Sequence, residues 1–228
     1  MGSSRPFRFG VINERMQTAS AWNADARRAE QLGYSTFLIR DHFVPDHFGD
    51  QFAPFSALMA AASVTKTMRV GSLVIDNDYR HPVVLAKEAA TLDLLSGGRF
   101  ELGLGAGFLK TEYDKAGVTF DRPGVRISRL AEALEVLKGL FAEGPLTFRG
   151  QHYRIDGLRG YPQPALSVNM GETVTPWEFS VEGESGLESD ERIGAGPRWA
   201  GDRGGSEGDA AAVHARVQAE DRPGGGRL

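Results

Sequence analysis

The chain has 228 residues, 41% of them hydrophobic and 25% charged, with 30 acidic against 26 basic side chains and a net charge of −4. That balance gives no basic footprint for nucleic acid or an anionic membrane surface. There is no cysteine, hence no disulfide or thiolate metal site, and no run approaches the roughly 20 apolar residues of a membrane span; a cytoplasmic protein acting on a small molecule is expected.

Phe7 to Ile12 reads as a first buried strand. Ser20 is the expected N-cap of a helix that lines up Trp22, Ala26, Ala29 and Leu32 and closes at Gly33. Ser35 to Ile39 is a second strand, ending in Arg40-Asp41-His42. Pro54 opens a second helix through Leu58, Ala61, Ala62 and Val64, and Met68 to Ile75 is a third strand with a polar tip at Asp76-Asn77-Asp78.

Pro82 opens a third helix at a position where the missing N–H costs nothing. Val83, Leu85, Ala86, Ala89, Ala90, Leu92 and Leu95 give it a broad apolar face, and Ser96-Gly97-Gly98 ends it. Arg99 to Leu104 follows as a fourth strand, with Gly103, Gly105 and Gly107 stripping side chains from its far end. Pro123 opens a fourth helix carrying Ile127, Leu130, Leu134, Leu137 and Phe141, and Leu146–Phe148 with His152–Ile155 forms a hairpin.

Four strands alternating with four helices predict a parallel α/β architecture. In such folds ligands gather outside the carboxyl ends of the strands, here at Asn13, Asp41, His42, Asp76 and the glycine cluster. From Leu166 onward glycine and charged residues dominate, and Gly201–Gly208 and Pro223–Gly226 are low in complexity. Only Leu166–Met170 and Ala210–Ala219 read as regular there. The expected division is an α/β unit at 1–165 and a weakly structured tail at 166–228, shortened or misread relative to a closed eight-stranded barrel.

Among chemistry-bearing residues, Asp41-His42 suits proton transfer to a bound ring as well as it suits a capping pair in a polar loop. Asp41, His42, Asp46 and His47 have metal-ligand chemistry, but Phe43 and Pro45 interrupt them and no third histidine follows at the next strand tips, so no metal is expected. Gly103-Leu104-Gly105-Ala106-Gly107 fails as a dinucleotide fingerprint, because the third glycine would fall on Phe108. It remains a place where a flat ligand can lie against bare backbone. His81 reads as a helix-entry residue.

Together, Asp41-His42-Phe43, Gly71-Ser72-Leu73-Val74-Ile75, Arg80-His81-Pro82 through Gly97-Gly98-Arg99, and Gly103 to Gly107 resemble the bacterial luciferase-like monooxygenases and deazaflavin-dependent oxidoreductases. Arg129, Glu132, Leu137, Tyr153 and Tyr161-Pro162 continue the likeness, which covers about Phe7 to Pro164. The resemblance implies a (β/α)₈ TIM-barrel type of fold, present here as its N-terminal half. It also implies coenzyme F-420, or FMN as the alternative, bound at the carboxyl ends of the strands. A non-prolyl cis peptide of the deazaflavin branch maps to Leu73-Val74.

By matching position, His42 resembles the proton donor near the ring. Asp41, Leu73, Val74, Asp76, Ala106 and Gly107 resemble cofactor contacts. The implied reaction is hydride exchange between the cofactor and a small organic substrate. A flavin monooxygenase, a non-catalytic flavin-binding or assembly protein and a metal-dependent barrel hydrolase are the competing readings. Phe108 stands where the sugar-phosphate dehydrogenase branch has a carboxylate, and no later glycine-rich phosphate-binding strand follows. A half-barrel also leaves its first and fourth strands open to pairing in a homodimer.

Overall fold

A computed structural model describes residues 8–45, 49–165, 169–173 and 214–218, the last two stretches as main chain. Thr18, not Ser20, caps the first helix, α1 (Ala19–Gln31). Thr18 has the extended backbone an N-cap needs, and its hydroxyl accepts the Ala21 N–H at 3.3 Å. Ser20 lies inside the first turn. Trp22, Ala26 and Ala29 form the buried stripe, and Gly33, at φ +84°, turns the chain out of the helix.

Strands β1 (Gly10–Ile12), β2 (Thr36–Ile39), β3 (Arg69–Ser72) and β5 (Phe100–Glu101) form one parallel sheet in that order. The expected third strand is split. Its continuation, β4 (Ile75–Asp76), resumes beyond a cis peptide at Leu73–Val74 and pairs in parallel with β6 (Leu104–Gly105), the continuation of β5. The register passes Phe37 to Val70 and Val70 to Phe100 in the sheet, then Ile75 to Leu104 and Asp76 to Gly105 at the tips. Four lines of strand run side by side with their carboxyl ends together, the first half of a (β/α)₈ barrel arrangement.

Three further helices open with proline at the first turn: α2 (Pro54–Ser63), α3 (Pro82–Leu95) and α5 (Pro123–Phe141). His81 caps α3, its Nδ1 accepting the Val83 N–H at 3.3 Å. Their apolar stripes (Leu58 and Ala61, Leu85 and Ala89, Leu130 and Leu137) pack with Phe37, Val70, Ile75, Phe100 and Leu104 in one core. The Trp22 ring meets Phe37 edge-on at 5.2 Å and gives its indole N–H to the Ala57 carbonyl at 2.9 Å.

One helix goes unread in the sequence: α4 (Lys110–Ala116), closed by Gly117 in the left-handed conformation. The hairpin is present as β7 (Pro145–Arg149) and β8 (Arg154–Arg159). Glu132 of α5 holds it by accepting the N–H groups of Gln151, His152 and Tyr153 at 2.7, 2.8 and 3.1 Å. Glu30 of α1 does the same at the entrance to β3, accepting from Lys66, Thr67 and Met68 at 2.8, 2.7 and 2.9 Å.

Within the expected tail, β9 (Asn169–Thr173) and β10 (His214–Gln218) pair antiparallel, on parts of the two stretches read as regular. The rest of the tail, residues 166–168, 174–213 and 219–228, lies outside the described residues, as do Asp46 and His47 of the metal reading. Among the described residues no helix is long and apolar enough to cross a membrane.

Candidate functional site

The carboxyl ends of β2, β4 and β6 are tied to one another by buried polar groups. β2 delivers Asp41, 5% exposed, whose carboxylate accepts the Asp76 N–H at 3.2 Å and pairs with the Arg80 guanidinium. Arg80 lies over the Phe55 ring at 5.6 Å and reaches Glu88 at 3.5 Å. Burial raises the Asp41 pKa above the ordinary carboxylate value, with Arg80 pulling the other way.

β4 ends in Asp76, which caps a 3₁₀ turn (Asn77–Tyr79) by accepting the Asp78 N–H at 2.9 Å. The Tyr113 hydroxyl of α4 sits against both Asp76 oxygens at 2.9 and 2.8 Å and against Asp78 at 3.2 Å. Asp78 is paired with Arg129 at 2.9 Å, and Arg129 also pairs with Asp121. Burial pushes the Asp76 pKa up to about 7, helped by the neighbouring Asp78 and Asp41 charges and opposed by its hydrogen bonds.

A carboxyl raised this way holds its proton in the fold and gives it up on unfolding. Its stabilising contribution is therefore full below the ordinary value of 3.8 and lost as pH rises through about 7. Asp76→Asn, which imitates the neutral acid, is expected to make the fall in stability between pH 5 and pH 8 shallower. Urea denaturation across that range checks it, and parallel wild-type and variant curves would refute it.

β6 continues into Ala106 and Gly107. A Cβ on Gly107, at φ +71°, would land on the Tyr113 hydroxyl and the Asp76 carboxylate. One on Gly105 would fall 2.7 Å from a Val74 methyl. The sequence suggests that these glycines clear space for a ligand. In the structure the side-chain positions of both are filled by the protein's own groups, which lock the β6 tip against Val74 and Asp76.

His42 enters this cluster through α4. Its Nδ1 lies 2.9 Å from Oε2 of Glu112, whose Oε1 accepts the N–H groups of Phe43 and Val44 at 2.8 and 3.1 Å. The Tyr79 hydroxyl donates to Oε2 at 3.3 Å. Glu112 is 1% exposed. Burial works to raise its pKa, but the hydrogen bonds from His42 and the two backbone groups outweigh it and hold the carboxyl below its usual value. Phe43 and Phe108 are exposed, and Phe108 meets the imidazole edge-on at 6.0 Å.

The residues named from the sequence thus gather at one end of the sheet. Asp41 bonds to Asp76, Val74 abuts Gly105, Ala106 is buried beside them, Gly107 packs on Asp76, and His42 is joined through Glu112. Leu73, across the cis bond from Val74, gives its N–H to the Ile39 carbonyl of β2 at 2.8 Å.

The sequence assigns no site role to Glu112, Tyr113 or Tyr79, and names Arg80 only within the Arg80-His81-Pro82 motif. A usable signal was present in Lys110 and Asp114 at helical spacing, Lys115 in a last turn and Gly117 just beyond it, which together mark a short helix able to carry two inward side chains.

Comparison with known proteins gives the following. A model of the luciferase-like monooxygenase family matches residues 1–196. An F420-dependent glucose-6-phosphate dehydrogenase from Kineococcus radiotolerans is 35% identical over 168 residues, which is 72% of this chain and 50% of the relative. An F420-dependent hydroxymycolic acid dehydrogenase from Mycobacterium tuberculosis is 34% identical over 146 residues, 63% of this chain and 40% of the relative. Among solved structures, the coenzyme F420-dependent tetrahydromethanopterin reductase from Methanopyrus kandleri superposes with a TM-score of 0.62 at 24% identity, covering 70% of this chain and 47% of that one. This chain spans about half the length of the curated relatives it matches.

Proposed function

The chain belongs to the luciferase-like monooxygenase family, and from that premise we propose that it is built to hold a deazaflavin, coenzyme F-420, for hydride exchange with a small organic substrate. The observation that carries this reading is the gathering of Asp41, His42, Val74, Asp76 and Gly107 at the joined ends of β2, β4 and β6. The two dehydrogenase relatives, both named as F420-dependent, supply the choice of cofactor. They differ in substrate, so the proposal stops at the reaction type.

The residues present fit a planar redox ring. Exposed Phe43 and Phe108 offer apolar surface beside an imidazole. The Asp41 and Asp76 carboxyls are occupied by Arg80, Tyr113 and main-chain N–H groups, so their part is to fix the strand tips. The main chain around Leu73, Val74, Ala106 and Gly107 would hold the ring. When bound, the coenzyme supplies the hydride chemistry. His42 handles the accompanying proton.

The family description, a monooxygenase, favours one alternative: FMN with oxygen as co-substrate. Titrating the purified chain with each pigment separates the two. Retention of coenzyme F-420 but not FMN is the expected result. FMN retention with oxygen uptake would select the alternative, binding without turnover a non-catalytic carrier, and failure to bind either pigment would overturn the proposal.

A further inference from the structure

Glu112 stands outside the residues that the sequence nominated, and its two oxygens do different work. Oε1 faces two donors that cannot change, the N–H groups of Phe43 and Val44. Oε2 faces two groups that can, the imidazole Nδ1 of His42 and the hydroxyl of Tyr79. A carboxylate has only acceptors to offer, so the hydrogen between Oε2 and Nδ1 must sit on the imidazole.

From this geometry we infer that Glu112 is a positioning residue that fixes the tautomer of His42: it keeps the proton on Nδ1, so that Nε2 is the nitrogen that takes up and releases a proton. The same carboxylate pins the two residues after His42, so ring identity and ring placement come from one side chain. The inference rests on the reading above only where it says what the Nε2 proton is for.

The variant Glu112→Gln tests this without removing the anchor. An amide has one accepting and one donating end. Turning the carbonyl oxygen toward Phe43 and Val44 keeps both backbone bonds, whereas the opposite orientation sets an NH₂ group against two N–H donors. The glutamine therefore presents its NH₂ to His42 and Tyr79. The Tyr79 hydroxyl can accept as well as donate, and the imidazole can satisfy the new donor by moving its own hydrogen to Nε2. The fold is retained and the tautomer reverses.

The measurement is a long-range ¹⁵N–¹H spectrum of the full chain labelled at histidine, taken where the ring is neutral, with the His42 signals identified by their loss in His42→Gln. Expected are a wild type protonated at Nδ1 and a Glu112→Gln variant protonated at Nε2. A wild type protonated at Nε2 overturns the inference whatever the variant does, and so does a variant still protonated at Nδ1. With coenzyme F-420 bound, Glu112→Gln should lower kcat by about tenfold or more while the cofactor Kd stays within about twofold, since the anchor is kept. A wild type that fails to bind the coenzyme removes the functional reading and leaves the spectrum standing. A coenzyme-binding variant with unchanged tautomer and kcat removes this inference and leaves the functional reading.

Discussion

Replacing His42 by alanine is expected to slow turnover by about 10²–10⁴-fold, the usual contribution of a positioned proton-transfer group, while changing cofactor affinity little. The asymmetry follows from where the side chain stands. His42 leaves β2 at the carboxyl edge and is held by Glu112 at 2.9 Å, beside the exposed ring of Phe108. The groups proposed to hold the ring are main-chain atoms of Leu73, Val74, Ala106 and Gly107, which flank β4 and β6, and the pairing of Ile75 with Leu104 and Asp76 with Gly105 that places them does not involve the imidazole. Separate measurement of kcat and of the cofactor Kd checks the split. Turnover equal to wild type would remove His42 from the proton-handling role, and a fall confined to affinity would recast it as a binding residue.

Arg80→Met is expected to destabilise the fold by about 3–5 kcal/mol near neutral pH, the typical cost of leaving one member of a buried ion pair without its partner. Asp41 is buried and, among the described residues, keeps only the Asp76 N–H as a hydrogen-bond donor once the guanidinium is gone. Its pKa is already raised by burial with Arg80 in place, so the variant's Asp41 holds its proton more firmly still. A carboxyl with a raised folded-state pKa stabilises most below the ordinary value of 3.8 and loses that contribution as pH rises through the folded value. The deficit should therefore be larger at pH 8 than at pH 5, and adding Asp41→Asn should recover part of it. Denaturant midpoints at the two pH values provide the check. A cost below about 1 kcal/mol at pH 8, the range of exposed pairs, would show that water reaches the carboxylate.

Much of the frame was legible because its signals are local. Prolines 54, 82 and 123 each mark a helix start, and the helix stripes are spaced at 3 and 4 residues. The strand tips were legible because polar residues interrupt apolar runs at Asp41 and Asp76. What escaped depends on distance in the chain. Glu112 acts on residues 68 to 70 positions earlier, and nothing in Lys110-Thr111-Glu112 announces His42 or Val44 as its partners. Arg80 reaches back 39 positions to Asp41. The sequence points to Ser20 as the cap by residue type alone, whereas the extended backbone and the hydroxyl bond that make Thr18 the cap are visible only in the structure. The glycines were located but given a different purpose, since their occupied side-chain positions come from Val74 and Tyr113, on other elements.

Glu30, Glu112 and Glu132 share a device: one glutamate on a helix gathers successive main-chain N–H groups of a loop. In each the hydrogen bonds outweigh burial and draw the pKa down, for Glu30 to about 2. Their grip is present above the ordinary glutamate value of 4.5 and slackens as pH falls through the lowered one. Asp41 and Asp76 lean the opposite way, losing their contribution as pH rises, for Asp76 through about 7. Acidification thus loosens the loops that the glutamates gather, at the β2 end as well as at the entrance to β3 and in the hairpin, whereas a rise in pH loosens the Asp41 and Asp76 contacts between strand ends.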